Sequence, residues 1–423
     1  METRLKPFLR VALVLCLVGI LAGPALGQQR PHAVYPPQVP AMFEEPDLLT
    51  AALDFAGRRF ISDSKKDGDA RFYPKVGGMI DGAGWISGGP GYRLPLFGGR
   101  AFADASAAVS WHGYLMSNAV LEFPDLAEGR LAAGVEGLWQ NSLQVNYFGL
   151  GVDSSEDLHS QYRLQTMNVV TYARYRPLPW LAVSSQVGWL DRPSVSSPTG
   201  PFRSDDVSDA QATFPGDPAM TIPVQPRFFH GGMAITADTR DFPDHPTRGS
   251  LYHASAGAYV ADERRYSFQR YEVVGLHALP LFDRAVVLIL HGWGLFTHAS
   301  PAQEVPFYLM PGLGGAYALR GFSNYRFHDR HLLLASAEAR LPIFVHLDGA
   351  VFVDAGTVAA RAGDLGLDRT VYGFGLRLHT EKSTMARFDV AHTREGWGVM
   401  FRTSDPFILD RLTRWTAAVP FVP

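Results

Sequence analysis

The sequence predicts an all-β fold, a transmembrane antiparallel β-barrel of sixteen strands with an extracellular loop folded inwards. Three observations carry this expectation. From residue 71 to residue 407 apolar residues recur with the strand period of two rather than the helical 3.6. Past residue 27 no apolar run reaches the ~18 residues of a membrane-spanning helix; the longest, 285–296, is cut by His291, Gly292 and Gly294. Charged residues make up 19% of the chain, below the ~25% usual for soluble domains, while glycine and aromatics are plentiful, as in tilted strands with aromatic girdles.

The elements follow in order. Residues 1–27 read as a secretory signal: Arg4, Lys6 and Arg10 supply the positive region, residues 11–21 the apolar core and Ala25-Leu26-Gly27 the cleavage site. That core is too short to cross ~30 Å of hydrocarbon. It holds the one cysteine, Cys16, so the cleaved chain is expected to have no disulfide and no thiol chemistry. Residues 28–70 form a short periplasmic leader, proline-rich to Pro46. The apolar spacing over 47–56 suits a short helix at the periplasmic mouth, and the composition suits a disordered leader equally well.

Strands are expected near 71–80, 82–95, 99–112, 113–124, 129–141, 158–175, 179–190, 227–239, 248–260, 264–280, 283–298, 329–342, 347–359, 369–380, 384–393 and 396–407. Their faces differ in kind. In 372–379, Tyr372, Phe374, Leu376 and Leu378 alternate with Gly373, Gly375, Arg377 and His379. In 332–341, Leu333, Ala335, Ala337, Ala339 and Leu341 oppose Ser336, Glu338 and Arg340. Charges and glycines on one face, with apolar residues on the other, fit a water-filled lumen inside a lipid-facing wall. Short links near 177–179 and 281–283 would be periplasmic turns; long ones at 142–157, 191–226 and 299–328 would be extracellular loops. Residues 408–423 form a C-terminal tail, read as solvated.

The residues that carry most information lie late in the chain. Gly314, Gly315, Arg320, Gly321 and Phe322 share a glycine-rich loop, and Glu338 and Asp354, with Gly356 close behind, fall on the next two strands. Adjacent strands would let both acids face the lumen and hold the guanidinium through planar, charge-assisted pairs, ordering a loop that otherwise costs entropy. Partly solvated pairs of this kind contribute about 1 kcal/mol each, so positioning would outweigh stability. The glycines permit close backbone approach, and Phe322 would wedge against the wall. An earlier segment contains Asp238, Arg240, Asp241, Pro246 and Gly249. The last strand alternates Trp397, Val399 and Phe401 and closes on Phe407.

These motifs, in this order from Tyr147 onward, resemble the BamA–TamA superfamily of outer-membrane proteins, the bacterial surface antigens. The resemblance implies that Arg320 belongs to the sixth extracellular loop, that Asp238-Thr239-Arg240-Asp241 with Pro246 and Gly249 is the family's hairpin, and that Trp397, Phe401 and Phe407 form a terminal recognition strand. It implies a barrel whose first and last strands pair weakly and whose substrates are nascent barrel strands or lipid. Relatives carry periplasmic POTRA domains, and residues 28–69 are too short for one, so a separate periplasmic partner would serve that role.

Catalytic chemistry is not expected. The sequence has no Gly-x-Ser-x-Gly elbow, no Gly-Lys-Ser/Thr phosphate loop and no His-Glu-x-x-His, and His328 and His331 are spaced wrongly to converge on one metal. Neither cofactor nor metal is expected, and a formal charge of −3 argues against a nucleic-acid partner. The expected setting is the outer membrane, in contact with its lipid, after signal cleavage. The two roles in view are insertion or translocation at the seam near 72–80 and 398–407, and passive conduction of small solutes past a loop plug.

Overall fold

The computed structural model describes residues 41–47 and 70–407, apart from 81, 205, 218, 219, 221–224 and 381, together with 412 and 415. The secretory signal, most of the leader and most of the tail lie outside the described residues.

Among the described residues a single 17-stranded sheet dominates, made of sixteen long strands and the two-residue strand Ser208–Asp209. The long strands are β1 (Arg71–Gly77), β2 (Ser87–Leu96), β3 (Ala101–Ser110), β4 (Leu115–Leu126), β5 (Leu131–Tyr147), β6 (Ser160–Leu178), β7 (Leu181–Ser196) and β8 (Phe228–Asp238). There follow β9 (Gly249–Ala261), β10 (Phe268–Leu281), β11 (Val286–His298), β12 (His331–Phe344), β13 (Leu347–Ala359), β14 (Arg369–His379), β15 (Thr384–Thr393) and β16 (Gly396–Arg402). Each pairs antiparallel with its neighbour in the chain, from β1–β2 through β15–β16. This is the up-and-down order of a barrel. Among the described residues no register returns β16 to β1.

The alternation sorts the two faces as expected. Tyr372, Phe374 and Leu376 on β14 are exposed, as are Val351 and Val353 on β13 and Trp397, Val399 and Phe401 on β16. Their partners in the period, including Arg377, Phe352 and Asp354, point inwards and are buried. An apolar outer belt is what hydrocarbon selects, and ladder pairing satisfies the backbone groups along the wall. β16 departs from expectation by ending at Arg402 rather than running to Phe407. Pro406 brings no backbone donor, and Asp405 Oδ1 accepts from Phe407 N at 2.9 Å, so the chain turns inwards.

Short turns at 97–100, 127–130, 179–180, 282–285 and 345–346 close one end; long loops at 148–159, 197–227 and 299–330 crown the other. The β8–β9 turn, 239–248, reaches across the short-turn end: Thr384 N donates to Asp244 O at 3.2 Å, and Asp244 bridges Ser383. Leader residues dock at the same end. Met42 N and Phe43 N donate to the Pro342 and Ile343 carbonyls at 3.0 Å, and Glu45 accepts from His346 N at 2.9 Å.

Part of the lumen is packed with side chains where the sequence suggests water. Loop residues Leu319, Phe322 and Phe327 pack with Phe352 and Phe407 in one buried cluster, while Tyr147, Tyr162, Phe307 and Tyr308 build a second under the long loops. The described tail residues also sit against the barrel rather than in solvent. Trp415 stacks on Tyr172 with ring centroids 4.3 Å apart, and Leu412 packs against the buried lumen cluster.

Candidate functional site

The site forms where loop 299–330 descends onto β12–β16. Ser336 pairs with Asp354 and Glu338 with Phe352 in the β12–β13 register, which sets the two acids two steps apart on one inward face. Arg320 meets both. Its Nε and Nη2 donate to the two Asp354 oxygens at 2.8 Å each, its backbone N donates to Asp354 Oδ2 at 3.1 Å, and its Nη1 donates to Glu338. The guanidinium carbon lies 3.5 Å from the centroid of the Phe352 ring, a cation–π contact that covers its remaining face. Burial works against the Arg320 charge, but the Asp354 and Glu338 carboxylates outweigh it and hold its pKa above the ordinary arginine range.

Arg320 is 2% exposed and Glu338 0%. The expectation of partly solvated pairs is therefore wrong, because the packed loop excludes the water that would have screened them. In such a place each lost partner strands a charge, and the cost rises to about 3–5 kcal/mol.

Sequence reasoning missed the breadth of the network. Glu338 also accepts from Arg340 Nε at 2.8 Å and Arg377 Nη2 at 2.9 Å. Arg377 and Arg387 flank Asp389, at 2.5 and 2.8 Å, and Arg387 Nη2 reaches the Ala316 carbonyl in the loop at 2.6 Å. Arg340 Nη2 meets Asp405 at 2.9 Å. The legible signal was the placement of these residues on inward faces, among glycines; the missing information was how far β14 and β15 curl towards β12.

The loop glycines have distinct uses. Gly314, at φ +109°, would place a Cβ 2.3 Å from Ser323 O, so the tight tip admits no side chain. Gly315 N donates to Phe322 O at 3.2 Å. Leu319 takes φ +52°, a left-handed conformation uncommon for a branched residue, immediately before the clasped Arg320. Gly356 lets the loop's Leu313 approach: a Cβ there would lie 3.3 Å from Leu313 Cδ1 and 2.6 Å from Leu333 O. Phe322 packs edge-on against the loop's own Phe327 with centroids 5.1 Å apart.

The other candidate residues fall elsewhere. In the β8–β9 turn, Arg240 makes a bidentate pair with Asp238 at 3.0 and 2.9 Å. Asp241 Oδ1 caps the Phe242 and Thr247 amides at 2.8 and 3.0 Å; Pro246 is buried, and Gly249 has φ +95°. This hairpin is separate from the clasp. Trp397 and Phe401 face outwards on β16, whereas Phe407 turns into the lumen at 3% exposure, with Arg320 and Arg340 5.7 and 5.8 Å from its ring. The three do not form one strand face, since the chain leaves the sheet after Arg402.

Beside the loop tip lies a cavity of about 540 Å³ that follows the whole of β16 and is bounded by Trp85, Gly321, Phe322, Glu395 and Phe401 among others. Across it, Trp85 from the β1–β2 connection meets Phe401 edge-on at 6.2 Å, and the Arg402 guanidinium lies 5.0 Å from the Trp85 ring.

Residues 225–409 match the family model described as the Omp85 superfamily domain. The fold is similar to the crystal structure of BamA from Haemophilus ducreyi lacking POTRA domains 1–3, with a TM-score of 0.59 at 16% identity over 79% of this chain and 69% of that one. CdiB from Acinetobacter baumannii aligns with a TM-score of 0.45 at 12% identity over 78% of this chain and 58% of that one. No curated protein matches the chain.

Proposed function

We propose that the chain is an outer-membrane barrel of the Omp85 superfamily, of the BamA/TamA type, that inserts or translocates polypeptide, or lipid, at the edge between β16 and β1. The role is non-enzymatic. The observation that carries this reading is that the clasped loop tip rests against β16 beside a cavity running along that strand. An incoming strand would add to the β16 edge, where main-chain groups offer affinity without demanding a sequence.

The other edge supports the same reading. Pro74 on β1 faces Pro90 on β2, so neither contributes an N–H to the ladder at that rung, and Gly77 and Gly78 follow. A strand with fewer ladder donors parts from a neighbour at lower cost. Lipid of the outer membrane, nascent barrel proteins and a separate periplasmic component are the partners this role requires. The passive solute pore fits less well, because the packed loop, the Arg320 network and the extracellular aromatic cluster occupy part of the lumen.

The test is a scan of paired cysteines, one in 71–77 and one in 396–402, expressed in a depletion strain of the native host. Oxidative locking of the edge is expected to abolish rescue of outer-membrane protein or lipid composition, with reductant restoring it. Full rescue by a demonstrably locked barrel sinks the proposal.

A further inference from the structure

At the lumen floor, apart from the Arg320 clasp, His245, Asp348 and His379 bring one ligand atom each within 4.8 Å of one another, and all three are buried. They arrive from the β8–β9 turn, from β13 and from β14, so no local sequence spacing links them.

Their neighbours favour one tautomer of each ring. His379 Nδ1 lies 3.0 Å from the Thr380 carbonyl oxygen, which only accepts, so this nitrogen carries the proton and Nε2 keeps its lone pair. His245 Nδ1 lies 2.9 Å from the Thr384 hydroxyl, whose own proton goes to Asp405 Oδ2 at 3.0 Å; Nδ1 therefore donates here too. Arg340 Nη1, which can only donate, lies farther from the same nitrogen, at 3.4 Å, so the shorter Thr384 contact favours this tautomer. Both free Nε2 atoms then meet one carboxylate. His245 Nε2 is 3.4 Å from Asp348 Oδ2, and His379 Nε2 is 3.3 Å from Asp348 Oδ1.

In neutral rings these are lone pairs turned towards anionic oxygens, an arrangement that repels until a cation enters it. The spacings are longer than the ~2.7–2.9 Å of charge-assisted N–H···O bonds. They match the about 3.3–3.4 Å that separates two donors each ~2.0–2.1 Å from a tetrahedral zinc. Each Nδ1–H held by an oxygen acceptor is the outer arrangement that orients metal-ligating histidines. Local charge agrees: Arg320, Arg340, Arg377 and Arg387 pair with Glu338, Asp354, Asp389 and Asp405, whereas the carboxylate of Asp348 faces the two imidazoles. The two rings stack with centroids 4.0 Å apart, so coordination requires them to splay.

We propose that His245 Nε2, His379 Nε2 and the Asp348 carboxylate form a site for a divalent transition cation of the zinc type, pinning the β8–β9 turn to β13 and β14 across the lumen floor. Imidazole with carboxylate favours such ions over calcium or magnesium, which want oxygen alone. The fourth position is left to water or to a small periplasmic ligand.

The test uses the full-length barrel folded in detergent, stripped with chelator, loaded with Zn²⁺ and desalted. Elemental analysis is expected to give one zinc per chain, with affinity reduced at least about tenfold in His379→Gln and in Asp348→Asn. Co²⁺ should give the visible spectrum of a tetrahedral nitrogen–oxygen site, absent from both variants. Zn²⁺ should raise the unfolding temperature of the heat-modifiable band in the native protein and not in the variants, whose own folded band establishes that they fold. Should either variant fail to fold, His245→Gln carries the same comparison. Absence of stoichiometric zinc from the folded native barrel overturns the proposal, as does undiminished binding by the folded variants.

Discussion

A Cβ added to Gly398 would lie 2.4 Å from the carbonyl oxygen of Gly321, so the tip of the inward loop rests on the bare backbone of the last strand. A side chain at 398 must lift the loop or bend β16. Gly398→Val is expected to destabilise the barrel by about 1–3 kcal/mol and to make residues 299–330 susceptible to protease. Denaturant midpoints and limited proteolysis read both; an unchanged cleavage pattern would show that the loop does not depend on this contact.

Arg320→Ala strands Asp354 and weakens the Glu338 cluster, at an expected cost of about 3–5 kcal/mol. Arg320→Lys should recover little, because an ammonium cannot repeat the planar two-point contact with Asp354. Arg320→Met combined with Asp354→Leu is expected to be more stable than Arg320→Ala, since neither charge is then left alone. Equilibrium unfolding of the four proteins checks the order, and a Lys variant as stable as the native chain would refute it.

Conductance separates a plugged barrel from an open pore. In planar bilayers the native protein should show small, flickering currents that rise in Arg320→Ala as the loop leaves the bore. Large, steady currents unaffected by the substitution would favour the passive channel.

The cap of the barrel should weaken in acid. Burial pushes His328, in loop 299–330, down to about 4 from its usual 6.5. Between those values the unfolded chain holds more protons than the folded one, so stability rises with pH. The contribution of neutral His328 is complete above about 6.5 and is lost as pH falls towards 4, with roughly 3 kcal/mol at stake. Cleavage of the loop should accelerate from pH 7.5 to 4.5, and less so in His328→Gln. Equal acceleration in the two would assign the effect to other groups.

Much of this architecture was legible because lipid imposes a strict period. The expectation of sixteen strands and the sorting of Arg377 from Phe374 followed from alternation alone, since a one-residue slip would reverse the faces. Arg320, Glu338 and Asp354 were legible as a set because two of them sit on consecutive strands. Asp389, Arg387 and Asp405 were not, as their convergence depends on curvature that no local pattern encodes. The same holds for His245, which reaches the lumen from a turn. Phe407 was placed on a strand by its residue type, yet the ladder ends at Arg402 and the Asp405–Phe407 turn carries the chain inwards.

Because Glu338 holds three arginines and Asp389 two, no single pair in the lumen can be exchanged for water while its neighbours stay dry. Hydration of one member exposes the next, so partial withdrawal of the loop has no resting place. The interior should then behave as a toggle with two settings, seated and released, and pass between them in one step rather than by graded slackening.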